Sequence, residues 1–160
     1  MIDWKGIKTR ADLNPDMIKR IRIELLRDAQ KRGVRMYALM IAVLLLGVNE
    51  MHIEKLKIQF LPPVDHGVDW VIIYDGKAVN MPEEARIVFN NYIKHEPNLR
   101  VYFDRRHKMH EPQPVFYSEC RRTLGEPLAY CFFIFNDCMQ RIGRPKGCKV
   151  YIRDVALKAA

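Results

Sequence analysis

No stretch of this 160-residue chain is apolar for long enough to cross a bilayer. The longest, Met36 to Val48, runs about 13 residues where a spanning helix needs roughly 20, which makes it a candidate core helix. The opening Met1-Ile2-Asp3-Trp4-Lys5 lacks an apolar leader, so nothing points to export. Cysteine is scarce: Cys120, Cys131, Cys138 and Cys148 form no close pair of the metal-ribbon or redox kind. Disulfides remain formally open, but without a leader the simpler reading is reduced thiols in a cytoplasm. Also missing are internal repeats, low-complexity segments, a phosphate-binding Walker loop, a dinucleotide glycine fingerprint and a Ser-His-Asp pattern. The common nucleotide-hydrolysing, dinucleotide-binding and serine-hydrolase classes are therefore unsupported.

What is present is an ordinary globular composition, 49% hydrophobic and 29% charged, at a length that suits one domain spanning 1–160. The charge is unevenly placed. Residues 1–35 carry a net +5, residues 36–98 a net −3 and residues 99–160 a net +6, making up the +8 of the whole. Two basic ends around an acidic middle suggest a polyanionic partner, most simply double-stranded DNA, although basic proteins without such a partner also exist.

Local signals give the elements. Asn14-Pro15-Asp16 opens a helix, with Asn14 as N-cap and Ile18, Ile21, Leu25 and Leu26 at helical spacing as far as about Lys31. A second helix from about Met36 is apolar nearly all round, and Gly47 breaks it. Asn49 can cap a short helix over Glu50 to Leu56. Lys57 to Leu61 reads as a strand ended by Pro62-Pro63. Residues 68–74 and 77–81 then read as a hairpin about Asp75-Gly76. A helix opens at Pro82-Glu83-Glu84 and ends before Pro97. Leu99 to Phe103 suggests a strand, Asp104 to Pro114 a polar loop, Leu128 to Ile142 an apolar helix and Ile152 to Ala160 the start of another. The expected class is α+β, mainly helical, with a small antiparallel sheet.

The stretch Leu44-Leu45-Leu46-Gly47-Val48-Asn49-Glu50, followed by a short helix, resembles the glycine turn of the tyrosine recombinase (phage-integrase-like) catalytic domain. Met81-Pro82-Glu83-Glu84-Ala85 looks like the segment that follows that family's hairpin. Val115-Phe116-Tyr117-Ser118 looks like its Leu-Phe-Pro-Ser strand end, and Arg153-Asp154-Val155-Ala156-Leu157 like its His-Asp-Leu-Arg-His signature. The likeness covers about Asn14 to Ala160, with residues 1–13 as an N-terminal extension. It implies an integrase-catalytic-domain-like fold in which two arginines, a hairpin lysine and a histidine or lysine grip the DNA phosphate that a tyrosine attacks.

Carried over residue by residue, the first arginine is Asn49, the histidine is Arg153 and the second arginine is Ala156, while Lys77 falls near the hairpin lysine. The family's nucleophile lies beyond residue 160, so the resemblance implies a final helix cut short and no nucleophile. One lost electrostatic donor costs roughly 3–4 kcal/mol in the transition state. The expectation is a catalytically inactive DNA-binding protein, an accessory or regulatory factor of a mobile element, virus or plasmid. Alternatives are a strand-cleaving or recombinase subunit completed in trans, and a protein-interaction module forming a homo-oligomer through its C-terminal segment. No cofactor and no membrane are expected.

DNA contacts are expected from Lys77, from the dense cluster Arg105, Arg106 and Lys108, from Arg121 and Arg122, and from Arg141, Arg144, Lys146, Lys149 and Arg153. The cluster at 105–108 reads equally as a solvated loop. His107 and His110 lack acidic or cysteine partners at fixed offsets, so no metal site is expected. His52 reads as a surface or half-buried residue, Tyr117 and Tyr151 as packing. Tyr130, Phe132, Phe133 and Phe135, and the pair Cys131 and Cys138, read as core.

Overall fold

The computed structural model describes residues 2–64, 67–100, 112–116 and 126–158. Helix α1 (Pro15–Lys31) begins where Asn14 Oδ1 accepts from the Met17 backbone N–H at 2.9 Å. It buries Ile21, Leu25 and Ala29. Helix α2 (Val34–Leu45) follows after one glycine break and is wholly buried from Ala38 to Leu44. Around it pack α1, α3 (Glu83–His95), α4 (Glu126–Arg141) and the single-turn α5 (Ile152–Val155). A central helix has no polar face to spare, and that is why α2 carries none.

The sheet is antiparallel, ordered β3-β2-β1-β4: β1 (Leu56–Val64), β2 (Gly67–Tyr74), β3 (Lys77–Ala78) and β4 (Gln113–Pro114). Leu56, Ile58 and Phe60 on β1 and Trp70 and Ile72 on β2 alternate into the core. Leu56 pairs with Tyr74 and Phe60 with Trp70. Positive φ at both Asp75 (50°) and Gly76 (80°) makes the tight turn that matches strand twist. Helix α3 meets the sheet through an aromatic cluster, with the Tyr92 and Phe116 rings 5.1 Å apart and the Tyr92 hydroxyl donating to the Val115 carbonyl at 2.7 Å.

The mixed, mainly helical class with a small antiparallel sheet is as the sequence predicts, but five local expectations change. Strand β1 continues through Pro62-Pro63, with a register shift between Leu61 and Val64. The prolines lie beyond the reach of β4, at a bulge where the missing N–H costs least. Gln113 and Pro114 are not loop but an edge strand on Lys57 and Ile58. Leu99 and Arg100 are helical, not extended; the remainder of that predicted strand, residues 101–103, lies outside the described residues. The segment Glu50–Lys55 is a 3-10 helix kinked at His52, and α5 ends at Val155, where Ala156 turns extended.

Residues 2–13 are bound into the fold. Ile2 and Trp4 are buried, and Trp4 Nε1 donates to the Ile142 carbonyl at 2.8 Å. The Lys149 backbone N–H donates to Lys8 O at 2.7 Å, beside a parallel bridge between Thr9 and Lys149.

Candidate nucleic-acid interface

The turn after α2 builds one wall of a cleft. Gly47 takes φ 75°, a left-handed conformation that frees the chain from the helix, and the Val48 N–H reaches back to Ala42 O at 3.1 Å. Asn49 then caps the 3-10 helix, its Oδ1 accepting from the Met51 N–H at 2.9 Å, while its own N–H donates to the Tyr74 hydroxyl at 3.1 Å. The opposite wall is the C-terminal segment. Asp154 accepts from the Tyr151 N–H at 2.8 Å, Arg22 Nε donates to the Val155 carbonyl at 2.9 Å, and the Leu157 N–H donates to Leu44 O at 2.8 Å.

The cleft has a volume of about 450 Å³. Asn49, Arg153 and Ala156, far apart in the chain, line it together with Arg10, Glu50, Asp154 and Lys158. Arg153 lies over the Tyr151 ring, 5.0 Å from its centroid. Lys77, exposed on the edge strand β3, does not line it. Arg10, Glu50 and Lys158 carried no local signal for this place. Arg10 arrives through the packing of residues 2–13, and Glu50 reads in sequence as an ordinary first-turn acid.

Other predicted cations divide by what holds them. Arg141 sits on a seam between α1 and α4, where its guanidinium donates to Glu24 at 2.9 Å and to Asp28 at 3.1 Å. The hydrogen bond to Glu24, with Asp28 beside it, raises its pKa further. Arg32 and Asp137 form a second ion pair across the same seam. Arg141 is therefore occupied within the fold and is a poor phosphate ligand. Arg144 donates to the Val150 carbonyl at 2.9 Å and lies over the Phe135 ring, which leaves it partly engaged. Lys146 and Lys149 are exposed. Arg105, Arg106, Lys108, Arg121 and Arg122 lie outside the described residues, as do His107, His110, Tyr117, Ser118 and Cys120.

One expectation about the aromatics is overturned. Phe135 is buried, but Phe132 is 39% and Phe133 64% exposed. The helical period sends Cys131, Ile134, Phe135 and Cys138 inward and turns Phe132 and Phe133 out, where the Arg32 guanidinium covers Phe133 at 5.6 Å. Cys131 and Cys138 are buried free thiols, each pushed up to about 12, chiefly by burial. His52 is exposed, as expected, beside Glu54. Among the described residues no group of three or more His, Cys, Asp and Glu side chains could hold a metal, and no helix is long and apolar enough to cross a membrane.

No family model, curated protein or solved structure matches the chain.

Proposed function

We propose that the protein binds double-stranded DNA on a scaffold resembling the tyrosine recombinase catalytic domain, and that it performs no strand transfer. The observation that carries this reading is the meeting of Asn49, Arg153 and Ala156 in one cleft. These are the positions to which the resemblance assigns one phosphate-gripping site. Of the three, only Arg153 is charged. Asn49 spends its side-chain oxygen on a helix cap, and Ala156 offers a methyl group. Without those two arginines the site lacks the donors that would stabilise a pentavalent phosphate.

Ground-state affinity needs less. Arg10, Arg153 and Lys158 on the cleft and the exposed Lys146 and Lys149 supply cations for phosphate binding within a chain of net charge +8. A duplex gel shift at several salt concentrations tests the reading. The complex should weaken steeply with salt. Arg153→Ala/Lys158→Ala and Lys146→Ala/Lys149→Ala should each flatten that dependence, by about 1 in slope for every phosphate left without its cation. A salt-insensitive or absent shift sinks the binding claim. A covalent protein–DNA adduct, or nicking of supercoiled DNA, sinks the claim that no strand is cut.

A further inference from the structure

One flank of the α1–α4 seam is left open. A groove of about 440 Å³ runs between α1 and the residue that follows α4. Its apolar lining is aliphatic: Ile2 and Ile142 are buried, and Ile23 is 43% exposed. Arg20 and Arg27 line the same groove and stand about one turn to either side of Ile23 on α1. Glu24, the acid of this groove, is already taken by Arg27 and Arg141. Arg20 has no ion pair or hydrogen bond among the described residues. Apolar surface rimmed by charge of one sign is the pattern of a docking site, and its occupant must bring an apolar group flanked by acids.

The same chain carries such a group on α3. Ile87 is 64% exposed, and Glu83 and Glu84 lie one turn before it with no ion pair among the described residues. The adjacent Arg86 does not cancel them, because it is held by Asp69 and lies over the Trp70 ring. Lys94 is two turns further along the helix. We propose that Ile87 of one copy seats in the Ile2–Ile23–Ile142 groove of a second copy, with Glu83 and Glu84 against Arg20 or Arg27. The arginines flank Ile23 on both sides, so either direction of the incoming helix brings the acids to a cation. One aliphatic anchor with a charged rim makes a weak contact, in which the charges set the orientation. Knob and groove lie on different elements, so the contact is heterologous. Each added copy presents a fresh knob or groove, and the assembly grows as a chain or closes as a ring. None of this uses the cleft beside Asn49, and the inference is independent of the DNA-binding reading.

Sedimentation velocity and light scattering of the whole protein, free of nucleic acid and over roughly a hundredfold range of concentration, decide the matter. The mean mass should rise with concentration past that of two copies and fall as salt is added. Ile87→Ser should weaken association about tenfold. Glu83→Arg/Glu84→Arg and Arg20→Glu/Arg27→Glu should each weaken it at least as much, since like charges then face each other. An equimolar mixture of these two reversed variants should associate as the parent does, because each groove finds a knob of opposite charge on the other variant. Should a reversed variant prove unstable, Ile87→Ser, a change at an exposed site, decides by itself. A protein that stays monomeric over the whole range overturns the proposal. So does a mass that levels off at two copies, association indifferent to Ile87→Ser, or a mixture of folded reversed variants that fails to recover. A duplex shift without self-association leaves the DNA-binding reading standing and removes this one, and self-association without a duplex shift does the converse.

Discussion

The α1–α4 seam and the cleft beside Asn49 both mix arginines with acids, and they use them in opposite ways. On the seam each carboxylate has a cation: Glu24 and Asp28 hold Arg141, and Asp137 holds Arg32. In the cleft Glu50 is more deeply buried than any of these. Among the described residues it has no cation, and Arg10 and Lys158 on the same walls have no ion pair. A seam so paired is complete without a ligand. In the cleft the charges stand apart, and this difference, more than the count of basic residues, is what the proposed DNA-binding reading relies on to tell the arginines held within the fold from the others.

Arg141→Ala should give the largest change in stability. Asp28 is only 13% exposed and would lose its cation, so denaturant unfolding should show a loss of about 1–2 kcal/mol with the slope unchanged. DNA affinity of the folded variant should hardly move. A variant of full stability and poor DNA binding would undo the distinction, because it would make Arg141 a phosphate ligand after all. Arg153→Ala/Lys158→Ala should reverse the pattern, with stability within about 0.5 kcal/mol of the parent and duplex affinity at low salt down several-fold.

Glu50→Gln tests the contrast from the other side. Removing one partner of a paired buried charge destabilises, whereas neutralising a carboxylate that holds no cation among the described residues breaks no ion pair. Thermal and denaturant unfolding should therefore show stability within about 0.5 kcal/mol of the parent. A clear loss would mean that the carboxylate serves the fold.

The two regions also differ in how much of them the sequence announces. Helices α1 and α2, the Gly47 break, the Asn49 cap and the Asp75-Gly76 turn were legible because each is written within a few neighbouring residues. The pairing of Gln113–Pro114 with Lys57 and Ile58 was not, since an edge strand of two residues has no periodicity to read. The cleft was half legible. In the sequence only the proposed recombinase likeness links Asn49, Arg153 and Ala156, whereas Arg10 and Lys158 reach the cleft through chain packing, and the burial of Glu50 has no local signal. Nor does spacing tell Arg141 from Arg153, because both are solitary arginines near helix ends and only their partners differ.

The smallest effect is expected at Asp12, which closes the N-terminal segment leading to Arg10. Its carboxylate accepts from the Lys8 and Thr9 N–H groups at 2.9 and 3.1 Å, and these backbone bonds lower its pKa below the ordinary 3.8. A depressed carboxylate stabilises the fold above its unfolded pKa and loses that contribution as pH falls through the folded value. Stability of the parent minus that of Asp12→Asn, followed from pH 7 down to pH 2, should therefore be small, positive and flat above about pH 5, and shrink below about pH 4. If the difference instead grows on acidification, Asp12 is not the clasp of this segment. If it stays flat while DNA binding falls, the clasp acts by holding Arg10 at the cleft, which would tie residues 2–13 to the unpaired region of the molecule rather than to its sealed one.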